Sequence, residues 1–277
     1  MGLRINTNVT SLSAQRTLGV SNAEQQRTLE KLSSGTRIVR AADDAAGLAI
    51  SEKLKAQIRG IQQAERNASD GISMIQTAEG GLSEVSSILT RLRELSVQAA
   101  SDTVGDTERG FTNLEYQNLK QEIERISQVT EFNGKRLLNG QGEEYDFQIG
   151  INNDDFMDRI KYNAAATNST IGSLGVEGVD ISAKSGAQES LAVLDDAIEM
   201  VSGQRAELGA KQNRLSSTIQ NLQVSSENLS SANSRIRDTD FASETAKNTK
   251  LNILSNAGTS VLAQSNAQGA AALKLIG

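Results

Sequence analysis

Three pairs of neighbouring aspartates, Asp43-Asp44, Asp154-Asp155 and Asp195-Asp196, are the first residues in this chain that could carry acid–base chemistry. Adjacent residues on a helix or strand point in different directions, so such a pair does not converge on one substrate atom. Asp43-Asp44 falls where a helix is predicted to begin, and carboxylates there interact favourably with the helix dipole. Asn152 to Asp158 is oxygen-rich but lacks the glycine and glutamate spacing of a calcium loop, so it reads as a turn. Gly80-Gly81 has no strand before it and no phosphate-loop lysine. Close helix packing or local flexibility accounts for it better than nucleotide binding. Asn8-Val-Thr10 and Asn168-Ser-Thr170 fit the glycosylation triplet, a pattern that also arises often by chance.

The missing residue types narrow the chemistry further. The 277 residues include no Cys and no His, which removes a thiolate nucleophile, an imidazole base and an ordinary zinc site. No catalytic, cofactor-binding or metal-ligating set emerges, and the chain reads as a non-enzyme without a cofactor. With 28 basic and 34 acidic side chains the formal net charge is -6, so nucleic acid is not an expected partner. No run approaches the roughly 18 apolar residues of a membrane-spanning helix, so no membrane insertion is expected. Aromatics are 3% of the chain, and Trp and Pro are absent. An apolar complement of Ala, Leu, Ile and Val suits long helices packed side by side rather than a rounded core.

The elements follow from periodicity. From about residue 50 to 99 a heptad seam holds Ile50, Gln57, Ala64, Gly71, Ala78, Val85, Leu92 and Ala99, with Leu54, Ile61, Ala68, Ile75, Leu82, Leu89 and Ser96 on the companion row. Such a seam predicts one long helix in a coiled-coil-like bundle, on the order of 75 Å at about 1.5 Å per residue. Its small residues, Ala64, Ala68, Gly71 and Ala78, would let neighbouring helices approach closely. A second helix is predicted over about 107–129, with Leu114, Leu119, Ile123 and Ile126 as its apolar stripe and Asp106 or Thr107 as its cap. A third spans about 188–237, where Leu194, Val201, Leu208, Leu215, Leu222, Leu229 and Ile236 recur every seven residues, beside Leu191, Ile198 and Ile219.

Between the second and third helices, Asn133-Gly134 and Asn139-Gly140 are tight-turn signals. Tyr145, Phe147, Ile149 and Ile151 alternate with polar residues as a half-buried strand, and Phe156, Ile160 and Tyr162 suggest its return. The Ser-, Gly-, Ala- and Thr-rich stretch 164–187 reads as an exposed connection. Residues 1–40 and 255–277 are helix-compatible but poor in large apolar groups, so each alone should stay largely disordered. The fold class is mainly α: a long antiparallel coiled-coil-like bundle with a small β-hairpin region in the middle of the chain.

Several stretches resemble bacterial flagellins. They are Ile5-Asn-Thr-Asn8, Glu30-Lys-Leu-Ser-Ser-Gly35, Arg40-Ala-Ala-Asp-Asp-Ala-Ala-Gly-Leu-Ala-Ile-Ser51, Gln57-Ile-Arg-Gly60, Asp70-Gly-Ile-Ser73, Arg93-Glu-Leu-Ser-Val-Gln98 and Phe132-Asn-Gly-Lys135. Towards the other end come Gln212-Asn-Arg-Leu215, Ser234-Arg-Ile-Arg-Asp-Thr-Asp240 and Ile253-Leu-Ser-Asn-Ala-Gly258. The resemblance implies a short-form subunit of the flagellar filament, with a hook–filament junction or other axial protein as the alternative. It implies an inner domain of residues 1–42 with 238–277, and a bundle domain of 43–237 carrying a β-rich insert at about 130–187. It implies assembly with copies of itself. Among the terminal residues, Ile5, Val9, Leu12, Val261, Leu262, Leu273, Leu275 and Ile276 are the candidate subunit-interface set.

The resemblance further implies export to the extracellular flagellum without a cleaved signal peptide. The segment Met1-Gly-Leu-Arg-Ile-Asn-Thr-Asn agrees, lacking the apolar core of such a signal. Export machinery with a chaperone, junction proteins and the filament cap become partners. Arg91, Leu95 and Glu115 match positions that flagellins present to a host Toll-like receptor, while the bland role of the same residues is a solvated helix face with Leu95 partly in the core.

Overall fold

The computed structural model describes the backbone of residues 7–274 and the side chains of residues 7–267. The chain runs α1 (Val9–Ser34), α2 (Ala45–Ala99), α3 (Asp106–Val129), β1 (Glu131–Phe132), β2 (Lys135–Arg136), β3 (Glu144–Gln148), β4 (Arg159–Asn163), α4 (Lys184–Arg237) and α5 (Phe241–Lys274). It divides into two compact units, Met1–Ala56 with Asn228–Gly277, and Gln57–Glu227.

In the unit 57–227 the heptad rows meet. Ile75, Ala78, Leu82, Val85, Leu89, Leu92 and Ala99 of α2 are fully buried, as are Leu194, Val201, Leu208 and Leu215 of α4. The two helices run antiparallel, with Arg93 against Asp195 and Glu65 against Gln223. At the other end of α2 the seam slips. Ile50 is exposed, and Gly47 and Ser51 take the buried positions instead. A helix of 3.6 residues per turn drifts off a strict seven-residue repeat, and here the drift moves the buried face by one residue.

Helix α3 buries Ile123 as expected, with Leu119 and Ile126 packed against the core, but the rest of its buried face differs. Leu114 is exposed, while Arg109, Tyr116, Lys120, Ile123 and Ser127 face inward. Their spacing is helical, but four of the five carry polar atoms, and this hid the stripe. The cap differs too: Gly105 is the N-cap, with no side-chain bond, rather than Asp106 or Thr107. The turn into α3 is held by Arg109, whose guanidinium donates to the carbonyls of Ala99 at 2.9 Å and Ser101 at 3.0 Å. The Ala99 carbonyl is one that a helix C-terminus leaves without a partner.

Strands β1 and β2 form a two-residue hairpin with Asn133 at φ 51 and Gly134 at φ 76. Strands β3 and β4 form a second antiparallel pair with Tyr145 opposite Tyr162. β3 ends at Gln148, short of Ile151, and Phe156 lies outside β4 in an exposed turn. That turn is built by carboxylates: Asp154 Oδ1 accepts from the amides of Phe156 and Met157, and Asp158 Oδ2 accepts from that of Asp154. The small residues of α2 make room for this hairpin. A Cβ on Gly71 would come 3.1 Å from the Phe147 ring, and one on Gly60 would come 2.9 Å from Ile151. Gly81 likewise sits under Leu138 and Thr130, whereas Gly80 faces open space.

The stretch 164–183 departs furthest from expectation. It is a strap with Leu174, Val176 and Ile181 buried, not an exposed connection. One face of α3 holds it. Asn113 accepts from the Ile181 amide, Lys120 donates to the Glu177 and Val179 carbonyls, and Glu124 accepts from the Ile171 amide. Non-repetitive sequence gives no period to read, but its backbone must still be satisfied when buried.

Candidate assembly surface

The two ends of the chain pair in the unit Met1–Ala56 with Asn228–Gly277. Helix α1 starts at Asn8, whose carboxamide oxygen accepts from the Ser11 amide, and stops at Gly35 in the left-handed conformation. The following segment is tied to the end of α4: the Arg37 amide donates to the Arg237 carbonyl at 2.6 Å, and Thr36 bridges Asp238. Asp43 accepts from the amides of Val39 and Arg40, and the Arg40 bond, with lesser help from Val39, holds its carboxyl below the usual range. Asp44 accepts from Gly47 at the start of α2.

Against α1 lies α5, antiparallel, and the seam between them is polar. Thr10 meets Ser265 at 2.7 Å, Ser11 donates to Asn266 at 2.8 Å, Ser255 donates to Asn22 at 3.2 Å, and Lys247 approaches Glu24 at 3.6 Å. Gly258 allows Leu18 to approach, since a Cβ there would lie 3.3 Å from it. Thr28 Oγ1, Glu244 Oε1 and Asn248 Oδ1 are buried without a hydrogen-bond partner among the described residues.

Many of the large apolar side chains point the other way. Val9, Leu12, Val20 and Leu29 of α1 and Ile253, Leu254 and Val261 of α5 are exposed, Val9 by 62% and Ile253 by 63%. An amphipathic helix gains stability by burying its apolar face; this pair buries Leu251 and packs Leu18 against Gly258, but the rest of its seam is largely polar. Each end alone lacks a partner, as the sequence suggests; in the structure each supplies the other's. Of the candidate interface residues, Val9, Leu12 and Val261 are on the exposed face, and Leu262 is half-buried. Leu273 lies within α5, and Ile5, Leu275 and Ile276 fall outside the described residues.

In the other unit, Arg91 Nη2 lies 2.9 Å from Glu115 Oε1, and Arg91 Nη1 lies 2.9 Å from Glu94. These bonds, Glu94's first, raise the Arg91 pKa above its ordinary value. Leu95 is 2% exposed and belongs to the core. Arg91 and Glu115 are thus brought together at the surface, and Leu95 lies inside. Arg109 and Lys120 are buried cations that sequence reasoning did not single out. Burial lowers the Lys120 pKa, with Asp180 and Glu177 opposing the shift.

Residues 5–143 match the bacterial flagellin N-terminal helical region, and residues 191–276 match the bacterial flagellin C-terminal helical region. The chain belongs to the bacterial flagellin family. It is 46% identical over 274 residues to the flagellin of Halalkalibacterium halodurans, covering 98% of this chain and 99% of the relative. To the flagellin of Bacillus subtilis it is 44% identical over 303 residues, covering 99% of this chain and all of the relative. The crystal structure of Bacillus cereus flagellin superimposes with a TM-score of 0.51 at 30% identity, covering 57% of this chain and 88% of that one.

This flagellin is a structural protein, a short-form subunit that polymerises with copies of itself into the flagellar filament used for swimming.

Proposed function

We propose that the terminal helices are the assembly element of the subunit, an inner domain of residues 1–42 with 238–277, and that residues 43–237 are its bundle domain. The observation that carries this is the pairing of α1 with α5 through a largely polar seam, while much of their apolar surface stays exposed. Neighbouring copies would cover Val9, Leu12, Val20, Leu29, Ile253, Leu254 and Val261. At about 25 cal/mol per Å² of apolar surface buried, even a few hundred Å² per subunit would contribute several kcal/mol before ordering costs. Ile5, Leu273, Leu275 and Ile276 extend the proposed interface towards the chain ends, and Leu262 stabilises the pair itself.

Deleting residues 255–277 tests the division of labour. The truncated monomer keeps the central thermal transition by circular dichroism, and seeded filament growth by light scattering is lost. Normal growth of the truncated chain would refute the assembly role. Loss of the central transition would make the tail part of the monomer core.

The finer partners follow from family membership. The subunit is exported without a cleaved signal peptide by the flagellar export machinery with a chaperone. It joins the hook–filament junction proteins and grows beneath the filament cap. In support, no helix among the described residues is long and apolar enough to cross a membrane. Mass spectrometry of filament protein checks the uncut N-terminus. For the host Toll-like receptor, the Arg91–Glu115 pair is the candidate contact, with Leu95 supporting it from beneath. Arg91→Ala should lower receptor signalling in a reporter assay while leaving monomer unfolding nearly unchanged. Unchanged signalling would dismiss the contact.

A further inference from the structure

The chain holds two Asn-Gly dipeptides, Asn133-Gly134 and Asn139-Gly140, in the same connecting region. We infer that Asn133 is a site of spontaneous deamidation and that the fold protects Asn139 from the same reaction. The amide nitrogen of Gly134 attacks Asn133 Cγ and loses its proton, the side-chain nitrogen leaves as ammonia, and a cyclic imide forms. Water then opens either imide carbonyl, giving aspartate or isoaspartate. The net change is addition of water and loss of ammonia, with no oxidation or reduction.

The surroundings of Asn133 leave this reaction unobstructed. Asn133 is exposed and is the one non-glycine among the described residues with positive φ, at 51°. It and Gly134 are the two central residues of the hairpin in which Phe132 pairs with Lys135. In such a loop the flanking residues make the ladder bonds, and the central amide stays outside them. The Asn133 carboxamide makes no hydrogen bond to the described residues, and a Cβ on Gly134 would meet nothing within 4 Å. The side chain is free to swing, the attacking nitrogen is uncrowded, and water reaches both.

At Asn139 each of these conditions is reversed. Asn139 is 8% exposed, and its Oδ1 accepts from the Gln141 amide at 3.1 Å. The preceding carbonyl, of Leu138, accepts from Ser127 Oγ at 3.0 Å and from the Ser169 amide at 2.9 Å. Gly140 is packed against the Asn168 carboxamide so closely that a Cβ there would collide with it. Turning the side chain onto the Gly140 nitrogen would require breaking these contacts in a dry site.

The product at residue 133 changes the hairpin. A carboxylate appears beside Lys135, whose ammonium lies 4.3 Å from the Tyr145 ring centroid and so links β2 to β3. Isoaspartate also adds a backbone atom to a two-residue turn that has no slack. A subunit would therefore carry a chemical record of its age at one defined turn.

Peptide mapping separates the two sites, because Arg125, Lys135, Arg136 and Arg159 place them on different tryptic peptides, residues 126–135 and 137–159. The full folded chain is aged in warm, mildly alkaline buffer, and the amide-to-acid mass change is followed by mass spectrometry. A parallel sample is held unfolded in urea. Asn133 is expected to convert roughly tenfold or more faster than Asn139 in the folded chain, a barrier difference of about 1.4 kcal/mol or more. In urea the two rates should converge. Equal rates in the folded chain, faster loss at Asn139, or no conversion at Asn133 would each overturn the inference.

Discussion

The paired ends and the central bundle are built from the same kind of element, and they place it in opposite senses. In the bundle, Leu82, Leu89 and Leu92 of α2 and Leu194, Leu208 and Leu215 of α4 are fully buried, and charges such as Arg93 and Asp195 lie at the rim. In the terminal pair, Thr10, Ser11, Ser255 and Ser265 form the seam, and Val9, Leu12, Ile253 and Val261 face water. The bundle satisfies itself. The ends pair mainly through polar groups and leave much of their apolar surface exposed.

The largest expected effect sharpens this contrast. Leu89→Ala removes a fully buried side chain and should lower monomer stability by about 2–5 kcal/mol in denaturant unfolding. The double variant Ile253→Ala, Val261→Ala should change monomer stability by no more than about 0.5 kcal/mol per site and yet suppress seeded polymerisation. Comparable monomer losses in both variants would abolish the distinction.

Next in size is the contact under the β-region. Gly81→Ala places a Cβ 2.7 Å from Leu138 Cδ1 and 2.8 Å from Thr130 Oγ1, and overpacking should cost about 1–3 kcal/mol. Its neighbour gives the opposite sign: Gly80→Ala meets open space and should stabilise the helix by about 0.5–1 kcal/mol. Urea unfolding of the pair checks both signs. Arg109→Met keeps the apolar stem but removes the donors to Ala99 and Ser101, and it should cost about 1–3 kcal/mol by the same measurement.

The smallest effect at neutral pH is that of Tyr116, which shows only as a pH dependence. Burial pushes the Tyr116 hydroxyl up to about 12 from 10.0, an effect partly offset by Ser96. A group raised on folding contributes stability that is complete below the unfolded value. That contribution is lost as pH rises from 10.0 towards about 12. Tyr116→Phe should therefore flatten the alkaline fall in thermal midpoint and leave stability near neutrality almost unchanged. A fall as steep as that of the unaltered chain would show that Tyr116 does not govern it.

The sequence by itself determined the three long helices of the bundle, the turn at Asn133-Gly134, the strand pair β3–β4 and the family. Period-seven rows of Leu, Ile, Val and Ala announce a buried seam wherever it lies, because apolar burial depends on the side chain and not on who covers it. The turn at Asn133-Gly134 was equally legible, since positive φ restricts residue choice locally. Tertiary structure alone decided three things. It turned α3 to bury Tyr116 and Lys120 instead of Leu114, because the carbonyls of Glu177 and Val179 meet the ammonium there. It folded 164–183 into a strap, because Asn113, Lys120 and Glu124 satisfy backbone groups that no local pattern reveals. It chose the polar face of α1 for α5, through hydrogen bonds between residues more than 200 positions apart. An apolar row can be read one helix at a time, but a polar side chain is settled only by the partner that satisfies it, and that partner is far away in the chain.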